Sequence, residues 1–181
     1  MRRAAACQRH APRRAEWWLR LGCAVSPAFA EPFAALVHLR RALDDRWGAV
    51  AAAQRAVDRF PGSPDGWMLL GEAYQMAFRQ REALGAYEQV LVLEERPDAA
   101  MAAGELYQRA GRPVEAAARF ARAYAAGGGA DALRANAQAL FLAGDTRAAD
   151  EALNLWASQV PDGLERLSHV RAELRAGRRE P

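Results

Sequence analysis

The stretch "DGWMLLGEAYQMAFRQREALGAYEQVL", residues 65–91, carries its apolar and small residues at wide intervals. Trp67, Leu70, Gly71 and Tyr74 follow one another at steps of three, one and three, which puts them on one face of an α-helix. Ala83 and Tyr87, four apart, begin the inner face of a second helix. The same set returns 33 residues later as Ala100, Ala103, Gly104, Tyr107, Ala116 and Phe120. It returns after a further 33 as Leu133, Asn136, Ala137, Leu140, Ala149 and Leu153. A degraded copy lies 34 residues before the first: Phe33, Leu36, Val37, Arg40, Ala49 and Ala53. Breakers separate the copies at Pro61-Gly62-Ser63-Pro64, Arg96-Pro97, Gly127-Gly128-Gly129 and Pro161-Asp162-Gly163. The pattern predicts four helix–turn–helix units over 30–63, 64–96, 97–129 and 130–163. No single hairpin can hide its apolar face, so the units must stack. The Trp, Leu and Tyr positions are read as core, with Trp67 buried between neighbouring helices, and the small residue beside the Leu lets a second helix come close.

The ends differ from the middle. Residues 164–177, "LERLSHVRAELRAG", place Leu164, Leu167, Val170, Arg171 and Leu174 on one helical face, as a capping helix requires; 178–181 are a frayed tail. Residues 1–29 form a basic arm with two readings. A basic start, an apolar stretch and "AFA" before Glu31 resemble an export signal cleaved there. Arg20 and Glu16 interrupt that pattern and favour a helix over about 13–25 whose Trp17, Trp18 and Leu21 cap the first unit. The second reading puts the protein in the cytoplasm; the first puts it in the periplasm.

Composition narrows the function classes. All 25 basic residues are arginine. Six of them stand in residues 1–29 against the single acid Glu16, whereas residues 30–181 hold 19 arginines against 21 acids. The folded body is therefore near neutral, which argues against a nucleic-acid face. Hydrophobic residues make up 51% of the chain, alanine is abundant and β-branched residues are few, which favours a helical core. No run of 18 apolar residues provides a membrane span. Cys7 and Cys23 form no CxxC and read as small apolar residues.

Catalytic patterns are missing. His10, His38 and His169 are far apart and make no HExxH. There is no GxSxG, P-loop or GxGxxG, and "GGG" at 127–129 follows a helix as a stop signal. Asp44-Asp45 and Glu94-Glu95 are adjacent acids that face different ways. The sequence predicts no enzyme activity, no cofactor and no metal.

The register resembles the tetratricopeptide repeat, whose unit of about 34 residues reads W-x2-L-G-x2-Y, then A-x3-F, then P. Unit 64–96 matches best, with "WMLLGEAY" and "ALGAY"; unit 97–129 keeps "GELY" and "AAARF"; unit 130–163 keeps Leu140, Ala149 and Pro161; unit 30–63 keeps Phe33, Leu36, Ala49 and Pro61. The resemblance implies an all-α, right-handed superhelix of four hairpins plus the capping helix. It also implies a concave groove lined by the second, fifth, ninth and twelfth residues of each unit. Those are Asp65, Met68, Glu72 and Gln75; then Asp98, Met101, Glu105 and Gln108; then Asp131, Arg134, Gln138 and Phe141. The first two sets are the same at every position, and Arg109 and Arg134 are the nearest cations. Methionine adapts to varied apolar side chains. The carboxylates suit a basic partner, and not the C-terminal carboxylate that Lys, Arg and Asn clamp in some members of the family. The implied function is a non-catalytic scaffold or adaptor that binds a peptide or helix with apolar anchors and basic residues. The alternative is an exported assembly factor, since "DGWMLLGEAY" is similar to repeats of cytochrome c maturation proteins.

Overall fold

A computed structural model describes residues 17, 21 and 31–177. From residue 31 onward the described residues form nine helices and no strand: α1 (Glu31–Ala42), α2 (Arg46–Arg59), α3 (Pro64–Met76), α4 (Gln80–Leu93), α5 (Pro97–Arg109), α6 (Pro113–Ala125), α7 (Gly129–Ala143), α8 (Thr146–Gln159) and α9 (Gly163–Gly177). The fold is an all-α set of helical hairpins. The export signal, Cys7, Cys23, His10 and Trp18 lie outside the described residues. Trp17 and Leu21 are helical but 58% and 40% exposed, so the structure does not bury them as a cap on the first hairpin.

Local sequence sets the helix limits. Pro64, Pro97 and Pro113 occupy first-turn positions, where the missing N–H costs nothing. Asp45 and Asp145 cap α2 and α8 by accepting from the Gly48 and Ala148 N–H groups, at 2.9 and 3.0 Å. Each hairpin turns the same way. A residue with positive φ (Asp44, Phe78, Gly111 or Gly144) ends the first helix. The next amide then returns to a carbonyl five residues back: Asp45 to Arg40, Arg79 to Tyr74, Arg112 to Tyr107 and Asp145 to Leu140, all at 2.8–3.0 Å.

The chain divides into two compact units, residues 1–93 and 94–181, where its length alone suggests one domain. In the first unit α2 packs on α1 and α3, and α3 on α4. Leu36, Val37, Ala49, Ala52, Ala53, Val57, Leu70, Ala73 and Ala86 form its buried cluster. In the second unit α6 packs on both α5 and α7, α7 packs on α8, and α8 on α9. Its core joins Ala116, Ala117, Phe120 and Ala139 to a second cluster built on Leu133, Ala137, Phe141, Leu153 and Trp156.

The small residue beside the Leu has a measurable purpose. A Cβ added to Gly71 would lie 2.6 Å from the Tyr87 ring, and one added to Gly104 would lie 2.6 Å from the Phe120 ring. The corresponding pairs in the outer hairpins are Val37 with Ala53 and Ala137 with Leu153, all buried. Where the second helix brings a large ring, the first supplies glycine; where it brings alanine, the first supplies valine. Each hairpin keeps its helices close by a different division of the same space.

Two expectations need correction. Trp67 is half-buried and not enclosed: it packs against the first cluster and its indole Nε1–H donates to the Pro61 carbonyl at 2.8 Å, which keeps one edge of the ring near solvent. Trp67→Ala is expected to cost about 2 kcal/mol in denaturant unfolding, below the roughly 3–5 kcal/mol of a fully enclosed Trp. Leu164 does not join the inner face of α9 but is 75% exposed. Gly163 starts α9 so close to the Ala157 backbone that a Cβ would meet Ala157 O at 2.4 Å, which turns the next side chain outward. Leu167, Val170 and Leu174 make the contact instead, and Arg171 ties α9 to α8 through Asp150 at 2.8 Å and Asn154 at 2.9 Å.

Candidate partner-binding faces

The candidate groove residues stand on α3, α5 and α7, the first helices of three hairpins. On α3, Asp65 is exposed, and Met68, Glu72 and Gln75 are half-buried. Met68 and Glu72 are one turn apart and present an apolar and an anionic group on the same side. Gln75 faces inward in part: its Oε1 accepts from the Tyr87 hydroxyl at 3.0 Å, which joins α3 to α4. Among the described residues Glu72 makes no ion pair.

On α5 the same positions have other partners. Arg96 holds Asp98 at 2.8 Å and keeps its carboxyl below the usual aspartate range, although burial pushes the other way. Met101 is half-buried against the cluster of Ala116, Ala117, Phe120 and Ala139. Glu105 is exposed and accepts from Arg109 Nη2 at 3.1 Å, one helical turn on. Gln108 is half-buried, and the residue matching Tyr87 is Phe120, which has no hydroxyl to offer it. Tyr107 lies beneath two guanidinium groups, Arg112 at 4.9 Å and Arg119 at 5.6 Å from the ring centre.

On α7, Asp131, Arg134 and Gln138 are exposed. Arg134 reaches Glu173 of α9 at 3.8 Å, and His169 lies 3.1 Å from the other oxygen of that carboxylate. Phe141 is a correction. It is only 2% exposed and belongs to the core with Leu133 and Ala137, which precede it at eight and four residues on the same helical stripe. Gln75 and Gln108 stand at the same edge half-buried, because a polar tip can reach water from there; a phenyl ring turns in.

The acidic pairs are occupied separately. Asp45 bonds the Gly48 amide and Arg40, Asp44 pairs with Arg46 at 3.1 Å, and Glu95 pairs with Arg122. His38 is exposed. Among the described residues no three His, Cys, Asp or Glu side chains gather as a metal site, and no helix is long and apolar enough to cross a membrane.

No protein-family model matches the sequence, and no curated protein matches it. Solved structures do. YrrB, "a TPR protein with an unusual peptide-binding site", superimposes with a TM-score of 0.68 at 17% identity, over 90% of this chain and 85% of its own. A tetratricopeptide repeat protein from Parabacteroides merdae gives 0.67 at 18% identity, over 95% and 70%. TTC0263, a thermophilic TPR protein of Thermus thermophilus, gives 0.59 at 19% identity, over 96% and 95%. At such identities the likeness is one of backbone course, and it agrees with the repeat register, the recurring turn and the glycine–aromatic pairs: this chain has the tetratricopeptide-repeat fold.

Proposed function

We propose that the protein is a non-catalytic interaction scaffold that binds a peptide or helix on the outward faces of its first helices. One observation carries the reading: α3 and α5 repeat the set Asp, Met, Glu, Gln at matching positions, 65, 68, 72 and 75 against 98, 101, 105 and 108, and none of these eight side chains is fully buried. Met101 and Gln75 also serve packing, the first against the Phe120 cluster and the second through Tyr87, but Met68, Glu72 and Glu105 belong to no core cluster, and packing does not dictate their repetition. YrrB, which shares the fold and has a peptide-binding site, supports the same class of function.

The two copies differ in charge. Arg109 balances Glu105, while among the described residues Glu72 has no ion-pair partner. A partner with an apolar anchor for Met68 and a basic side chain for Glu72 fits the α3 copy best. The test is selection of random peptides on the full-length protein. Enriched sequences should combine Leu-, Ile- or Phe-type residues with Lys or Arg. Enrichment of acidic sequences, or of none, would overturn the proposal.

A further inference from the structure

The first unit carries an apolar patch that the partner-binding faces do not use. Leu43, Trp47 and Phe78 are 47%, 62% and 75% exposed. Leu43 and Phe78 come from the turns of two neighbouring hairpins and Trp47 from the start of α2, and arginines lace these segments together. Arg46 lies 5.1 Å from the ring centre of Phe78, and Arg79 lies 5.8 Å from that of Trp47. Each hairpin thus lays its guanidinium over the aromatic of the other.

Phe78 is out of place by every local rule. Its φ is +58°, and the equivalent residues of the other hairpins are Asp44, Gly111 and Gly144. Glycine accepts that backbone freely and aspartate tolerates it; a bulky side chain does not. Burial gives little back, because three-quarters of the residue is in water and its ring contact is the exposed guanidinium of Arg46. A strained residue held without core packing points to a function.

We infer that this patch is a peripheral membrane-docking surface for anionic lipid. Exposed Trp and Phe side chains at one end of a hairpin pair suit the headgroup boundary, where aromatic rings concentrate. Arg46 and Arg79 lie over the rings and pair with Asp44 and Glu82, Arg40 and Asp45 pair with each other, and Arg41 and Arg81 are exposed beside these residues in sequence, so the two turn regions are net positive. Anionic headgroups complement them. A second copy of the chain does not, since it would set the same arginines against each other. A peptide anchor wants an enclosing pocket, whereas these side chains stand mostly in water.

The test uses the full-length protein and sedimentation with two kinds of vesicle, phosphatidylcholine alone and phosphatidylcholine mixed with phosphatidylserine. The wild type should bind the mixed vesicles selectively, and added salt should weaken the binding. Phe78→Gly should lower the partition coefficient by about tenfold or more through the lost ring. The same variant should raise the thermal midpoint, because glycine relieves the backbone; unfolding then cannot explain the loss. Trp47→Ser should act in the same direction on binding. Equal binding to both vesicle types would overturn the inference. So would unchanged binding by Phe78→Gly, which would assign any attraction to the arginine-rich N-terminus. Binding of polyglutamate at Trp47 without vesicle binding would assign the patch to an acidic protein instead.

Discussion

Phe120→Ala should destabilise the second unit by about 3–5 kcal/mol, as a large-to-small change at a fully enclosed ring does. Phe120 is 1% exposed and fills the space against Gly104. Gly104→Val should also be severely destabilising, because its Cβ alone would stand 2.6 Å from Phe120 Cε1 and the ring has no free volume to enter. The two changes together should cost less than their sum, by about 1–3 kcal/mol of favourable coupling. The first hairpin already uses that combination, with Val37 on the first helix and Ala53 on the second, both buried in one cluster. Denaturant unfolding of the wild type, the two single variants and the double variant measures the coupling. Simple additivity would mean that the paired positions do not share one space.

Reversing both candidate recognition charges, Glu72→Arg with Glu105→Arg, should weaken partner binding by on the order of 100-fold, since like charges would then meet on each of the two faces. Helix content should be unchanged: Glu105 is exposed and Glu72 half-buried, and neither belongs to a core cluster. The singles should differ. Glu72→Arg reverses a charge that no described cation pairs with and should account for most of the loss. Glu105→Arg removes an ion pair with Arg109 and should account for less. Titration of a selected basic peptide into each variant, with circular dichroism beside it, reads both effects. Wild-type affinity in the double variant would move the search to other surfaces.

The repeat was legible because period and turn chemistry are local. Trp67, Leu70, Gly71 and Tyr74 recur at 33-residue steps with Pro or Gly between copies, and each feature can be read without knowing what lies across the space. The candidate faces were legible only in part. Helical periodicity places Met68, Glu72, Met101 and Glu105 on a side, but it cannot say how deep a border position sinks. Phe141 and Leu164 show this: one turns into the core and the other out of it, by the packing of α7 against α8 and the tight start of α9. The turns carry one further signal in the sequence. Aligning the turns sets Phe78 against Asp44, Gly111 and Gly144, and the odd residue marks the exposed patch.

Sequence by itself determined the helices, their limits and their hairpin pairing, because these follow from i, i+3, i+4 spacing, caps and breakers, all within one turn of the chain. Tertiary structure alone decided who meets whom. It placed the Tyr87 and Phe120 rings over Gly71 and Gly104, gave Gln75 to Tyr87 and Arg134 to Glu173, and brought Arg46 over Phe78 and Arg79 over Trp47. Those contacts join residues from different helices or different turns, and their existence depends on how far each side chain reaches across the gap that packing leaves.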